Sequence, residues 1–125
     1  MTHPLETERL QLRCLQVEDA PLVVELAGEY DVSKMTLNIP HPYPEDAAIE
    51  FINGSIEAWE NEDRFAFAIV DKTTDKFMGV IGLRPDYQHQ RTEVGYWIGK
   101  PFWGKGYMTE ALNRVIQFSF EDLEL

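Results

Sequence analysis

Polar and apolar residues alternate from Arg9 to Leu15 (RLQLRCL), which predicts a first strand with one buried face. From Glu18 to Ala27 (EDAPLVVELA) the pattern turns helical. Acidic residues and Pro21 stand in the first turn, where proline is tolerated, and Gly28 is a natural stop. Tyr30 to Tyr43 reads as a loop, because Pro40, Pro42 and Pro44 interrupt any regular structure. Pro44 then opens a helix, with Glu45 and Asp46 at its positive end and Ala48, Ile52, Ser55, Ile56 and Trp59 on one face. Phe65 to Val70 is apolar on both faces and reads as a central strand. Lys72 to Asp75 is a turn, Phe77 to Leu83 the next strand, Pro85 to Gln90 a loop, and Thr92 to Ile98 a further strand. A last helix starts near Gly104, with Met108, Ala111, Leu112, Val115 and Ser119 on its inner stripe. The order β-α-α-β-β-β-α predicts an α/β domain of α+β layers with a largely antiparallel sheet.

The 125 residues suit one domain spanning the whole chain, and 44% of them are hydrophobic, enough for a packed core. There are no internal repeats. No apolar run has the length of a membrane span, and MTHPLETERL does not read as a signal peptide. A soluble, cytoplasmic protein without a membrane partner is expected. Cys14 is the single cysteine, so neither a disulfide framework nor a Cys-rich zinc site can form within one chain; it reads as a small core residue. His3, His41 and His89 are scattered, and no metal site is expected. The net charge of -11 speaks against nucleic acid as a partner and is compatible with a cationic acceptor such as an amine.

Gly104 and Gly106 flank Lys105 where a strand passes into a helix. The first turn of a helix offers N–H groups without intrahelical partners at the positive end of the dipole, and glycine allows close approach and φ > 0. The backbone from Trp103 to Thr109 could therefore wrap a phosphate group, with charge from Lys105 and a donor from the Thr109 hydroxyl. The Walker A spacing is absent. The third glycine of the dinucleotide fingerprint is replaced by Thr109. Plain turn chemistry, with Phe102, Trp103 and Tyr107 as core, explains the same spacing, and the residues alone leave both readings open.

The segment EVGYWIGKPFWGKGYMTEAL (Glu93 to Leu112) resembles motif A of the GNAT N-acetyltransferases, in the branch similar to RimJ and RimL. LETERLQLRCLQVEDA resembles the opening strand and helix start of that branch, and the element order agrees with the first part of its fold. The resemblance implies an acetyl-CoA-dependent N-acetyltransferase acting on a small-molecule or peptide primary amine by direct attack in a ternary complex, without a metal. It implies that Trp103, Gly104, Lys105, Gly106, Tyr107, Met108 and Thr109 bind the pyrophosphate, with Gly104 and Gly106 matching the motif's glycines. Pro101 stands where the wider family has Arg or Gln. It further implies that the pantetheine arm pairs with backbone at Trp97, Ile98 and Gly99. Glu93 is the implied general base, and Asn38, His41 and Tyr43 border the acceptor. A solvated strand-end carboxylate and a plain surface loop are the alternatives for the last two assignments.

The family's fold continues past the point that Leu125 reaches, with a further strand, helix and hairpin. Thr92 to Ile98 is then expected to form a sheet edge, covered by a second chain in a homodimer. The alternative to a working enzyme is an acetyl-CoA-binding or structural remnant without catalysis.

Overall fold

The computed structural model describes residues 4–33 and 44–123. Five strands form one antiparallel sheet in the order β1-β2-β3-β4-β5: Leu5–Glu6, Leu10–Cys14, Phe65–Asp71, Phe77–Asp86 and Arg91–Ile98. Helices α1 (Ala20–Ala27), α2 (Tyr30–Ser33) and α3 (Glu45–Glu60) lie between β2 and β3, and α4 (Tyr107–Glu121) follows β5.

Strand β3 explains the layering. Its residues are buried on both sides, as a central strand requires, but the two sides differ in size. Ala66, Ala68 and Val70 pack with Ala20, Val23 and Ala27 of α1 and Ala48 and Ile52 of α3. Small residues there let two helices approach closely. Phe65, Phe67 and Ile69 face the opposite way, onto Ala111, Val115 and Phe118 of α4. Four rings interlock on this side: Trp59 and Phe118 each meet Phe65 and Phe67 edge to face, with centroids 4.8–5.7 Å apart.

The helix starts follow their local chemistry. Pro44 is extended at the N-cap of α3, ahead of Glu45 and Asp46, and α1 ends at Ala27 with Gly28 as its C-cap. A partly buried ion pair fixes the approach to α1: Arg13 grips both carboxylate oxygens of Asp19 at 2.9 Å, and Asp19 accepts the Gln16 N–H.

Four details differ from the sequence reading. Leu5–Glu6 adds a short outer strand, paired with Leu12 and Gln11. Tyr30–Ser33 is a helical turn where a loop was expected. Ile56 is exposed rather than part of the α3 stripe, which is Ala48, Ile52, Ser55 and Trp59. Strand β4 runs on through Pro85 to Asp86. The alternation set by the register turns the Pro85 nitrogen toward β3, which begins at Phe65 opposite Leu83, so no partner is deprived of a hydrogen bond.

No described helix is long and apolar enough to cross a membrane.

Candidate functional site

The site is built where β5 ends. Gly99 donates its N–H to the Met78 carbonyl at 2.8 Å, the last rung between β5 and β4. In an antiparallel ladder the bonding direction alternates, so Trp97 and Gly95 also face β4, while Ile98, Tyr96, Val94 and Thr92 turn their N–H and C=O outward. No described strand pairs with that side. The outward Ile98 carbonyl is taken by the indole N–H of Trp103 at 2.8 Å, which leaves the Ile98 N–H as a free donor.

Gly99 itself is buried. A Cβ there would lie 2.9 Å from Leu26 Cδ2 and 3.3 Å from the Met78 carbonyl, so glycine relieves crowding at this turn. Its carbonyl accepts the Phe102 N–H in the single 3-10 turn of Lys100–Phe102, leaving no free polar group on Gly99. Lys100 is ion-paired with Asp31 of α2, tying this turn to the start of the segment that leads into residues 34–43.

The chain then passes through Gly104 (φ 75°) and Gly106 (φ 80°), both left-handed, before α4 begins at Tyr107. This is the region that side chains other than glycine rarely adopt. Gly106 caps α4 without any side-chain hydrogen bond. The first intrahelical bond is Glu110 N–H to the Gly106 carbonyl, so the N–H groups of Tyr107, Met108 and Thr109 have no partner within the helix. Lys105, Thr109 and the two glycines are exposed, and Tyr107 and Met108 are half-buried. The arrangement offers a run of backbone donors at a positive helix end, open to solvent: an anion cradle.

Residues distant in sequence brace the cradle, and the sequence reading did not find them. Arg9, in the β1–β2 turn, donates from Nε to Glu110 Oε1 at 2.7 Å and from Nη1 to the Lys105 carbonyl at 3.0 Å. Its guanidinium stands 4.4 Å from the centre of the Tyr107 ring. Glu110 Oε2 accepts the Arg9 backbone N–H at 2.9 Å and the Thr7 hydroxyl. Burial alone would push the Glu110 carboxyl up; the Thr7 hydroxyl and the two Arg9 donors outweigh it and hold the group below its ordinary value.

Glu93 lies near the start of β5, exposed, with Arg84 as its cross-strand neighbour. Five residues separate it from Ile98, roughly 17 Å of strand. Trp97, on the same face of the strand, packs toward the α1 and α3 layer, 6.2 Å from Phe77. Asn38, His41 and Tyr43 lie outside the described residues. Cys14 is half-buried, and burial pushes its thiol up, away from the reactive thiolate. Among the described residues no group of three or more His, Cys, Asp or Glu is placed to hold a metal ion.

An antiparallel sheet whose last strand offers a free edge, followed by a glycine loop and a helix start, defines a class. The sequence model of the acetyltransferase (GNAT) domain matches residues 9–125, and the chain belongs to that family, the acetyl-CoA-dependent N-acetyltransferases. Among relatives, an uncharacterised N-acetyltransferase, p20, of Bacillus licheniformis is 34% identical over 97% of this chain and 68% of its own length. An acetyltransferase of the GNAT family from Bacillus anthracis superposes with a TM-score of 0.83 at 21% identity, over 98% of this chain and 69% of that one. RimL, a ribosomal L7/L12 alpha-N-protein acetyltransferase in complex with coenzyme A, gives 0.80 at 16% identity, over 94% and 67%. At these identities the two structures speak for the fold.

The lowered Glu110 carboxyl fixes the sign of a pH effect. A group whose folded-state value is depressed adds stability that is present above its unfolded value and is lost as the pH falls through the folded one. The parent is expected to be more stable than Glu110→Gln at about pH 7, with the gap shrinking by about pH 3. Thermal unfolding of both at the two pH values measures it; a gap of constant size would show that the carboxylate's charge is not what holds the brace.

Proposed function

We propose that this chain binds acetyl-CoA across the end of β5 and transfers its acetyl group to a primary amine by direct attack. The observation that carries the reading is the succession of two donor sets across the end of β5. The N–H groups of Tyr107, Met108 and Thr109 have no partner within the helix and follow left-handed Gly104 and Gly106, and the loop that leads to them is tied back to the end of β5 by the Trp103 indole N–H on the Ile98 carbonyl, beside the outward Ile98 N–H. The first set suits a pyrophosphate, with Lys105 adding charge. The second suits an amide carbonyl of the pantetheine arm, which would run back along the edge of β5 toward Glu93. Trp97 and Gly99 then act as frame: both turn their polar groups to β4 or to the following turn, and Trp103 closes the Ile98 carbonyl.

The bond that forms is amine nitrogen to acetyl carbon; the bond that breaks is acetyl carbon to the coenzyme's sulfur. The ammonium must lose a proton first, and we assign that task to Glu93, exposed near the start of β5, acting directly or through water. Outward N–H groups of β5 supply dipoles for the oxyanion of the tetrahedral intermediate. The alternative, a protein that binds acetyl-CoA without turning it over, shares the cradle and differs at Glu93.

Calorimetric titration with acetyl-CoA tests the cradle. The parent is expected to bind, and the Gly104→Val/Gly106→Val variant to lose binding while keeping its circular dichroism spectrum; equal binding by both would place the ligand elsewhere. With an amine that supports thiol release, Glu93→Gln is expected to lower kcat by about 10²–10⁴-fold with KM little changed. An unchanged kcat would remove Glu93 from the reaction, and no thiol release with any amine by an acetyl-CoA-binding parent would favour the non-catalytic reading.

A homodimer is part of the same proposal. The arm takes the Ile98 end of the β5 edge, and Thr92 and Val94 leave further unpaired groups at the other end. Tyr96 (52% exposed), Ile116 and Phe120 (64%) leave large apolar area uncovered. Sedimentation equilibrium is expected to give a dimer; a single monomeric species at all concentrations would refute it.

A further inference from the structure

The glycine loop has no rigidity of its own. Gly104 and Gly106 give it access to left-handed backbone, but the same freedom populates many other conformations in the absence of a constraint. The N-cap of α4 provides no side-chain bond to hold the helix start. A cradle that must order itself around its ligand loses affinity to that ordering, so a built site needs something that fixes the loop beforehand.

Arg9 does this from the other side of the sequence. Its Nη1 holds the Lys105 carbonyl at 3.0 Å. The peptide joining Lys105 to Gly106 is planar and trans, so its C=O and N–H point in opposite directions. Drawing the carbonyl toward Arg9 therefore aims the Gly106 N–H away from Arg9. One side-chain bond sets the direction of a backbone donor that no side chain touches. The planar fork makes the rest of the grip possible at once: Nε to Glu110, and the face of the guanidinium against Tyr107.

The second element is Glu110. A carboxylate in the first turn of α4 favours the helix, because it faces the positive end of the dipole. It also stands in the same turn as the proposed phosphate site, where its charge would repel the ligand. The Arg9 guanidinium, the Arg9 N–H and the Thr7 hydroxyl all converge on it and draw that charge toward β1 and β2.

We infer that Arg9 is a positioning residue for the acetyl-CoA pyrophosphate, holding the glycine loop in its donor-presenting form through the Lys105 carbonyl while neutralising Glu110 beside it. The inference rests on the acetyl-CoA reading above. It assigns Arg9 no contact with the ligand.

Arg9→Met and Arg9→Lys, each in the full 125-residue chain, test it by two readouts. The first is the amide resonance of Gly106 without ligand, compared with that of Ile98. The second is the affinity for acetyl-CoA by calorimetry. Arg9→Met is expected to shift or broaden the Gly106 resonance, leave Ile98 in place, and weaken acetyl-CoA binding by roughly tenfold, the scale of one charge-assisted hydrogen bond. Arg9→Lys keeps the charge but not the fork, so it is expected to move Gly106 as well and to recover only part of the affinity. A Gly106 resonance unmoved in both variants, or parent-like affinity in either, overturns the inference. Should Arg9→Met fail to fold, Arg9→Lys decides alone by the same two criteria. Failure of the parent to bind acetyl-CoA would refute the acetyl-CoA reading instead, and the Gly106 resonance would still report whether Arg9 sets the loop.

Discussion

The Gly99 N–H to Met78 carbonyl bond, 2.8 Å long, fixes where the chain leaves the sheet, and the geometry of the site depends on that point. Upstream of it, the alternation of an antiparallel ladder decides which groups of β5 face β4 and which face outward. Downstream, the chain makes one 3-10 turn and enters the glycine loop. The bond depends on the missing side chain of Gly79. A Cβ on Gly79 would lie 2.4 Å from the Trp97 carbonyl, a backbone clash, whereas one on Gly99 would crowd Leu26 Cδ2 at 2.9 Å and Phe102 at 3.3 Å. A larger residue at Gly79 would push β5 away from β4 at this point and move the start of α4 relative to the outward groups of β5.

Much of this was legible in the sequence. Alternation in RLQLRCL and the apolar run FAFAIV placed β2 and β3, because strand periodicity is local and strong. Gly104 and Gly106 announced a left-handed passage into a helix, and both have positive φ. What was not legible depends on neighbours. Strand β1 has two residues, too few to show a period. Continuation of β4 through Pro85 depends on where β3 starts, which no local pattern reports. Ile56 fits the helical stripe by spacing, yet it is exposed at the edge of that stripe, which spacing alone does not report. The grip of Arg9 on Glu110 spans 101 residues of sequence. Arg9 opened the first predicted strand and Glu110 lay in the first turn of the last helix, and no local pattern linked the two.

The brace and the sheet end meet for a topological reason. Strands β2 and β4 run parallel, as do β3 and β5, so the start of β2 and the end of β5 lie at the same end of the sheet. The loop after β5 crosses that end, and α4 begins within reach of the β1–β2 turn. The fold thus brings a residue from the first tenth of the chain against the helix start that follows the last described strand.

Charge then separates the roles of the two substrates. With a net charge of -11, the chain's long-range field favours a cationic amine and opposes an anionic coenzyme. On the proposed reading, affinity for a pyrophosphate arises at short range, from backbone donors whose partial charges do not titrate and whose directions Arg9 would set in advance. Screening by salt acts on the long-range repulsion more than on contacts of hydrogen-bond length. A loop held only by its own glycines would forfeit much of that short-range gain to ordering. Hence an acidic member of this fold has greater need of a rigid cradle than a basic one, in which attraction at a distance would compensate for a loose loop. Glu110, part of the acidic excess, is at once a charge the site must tolerate and the anchor that holds Arg9 in place.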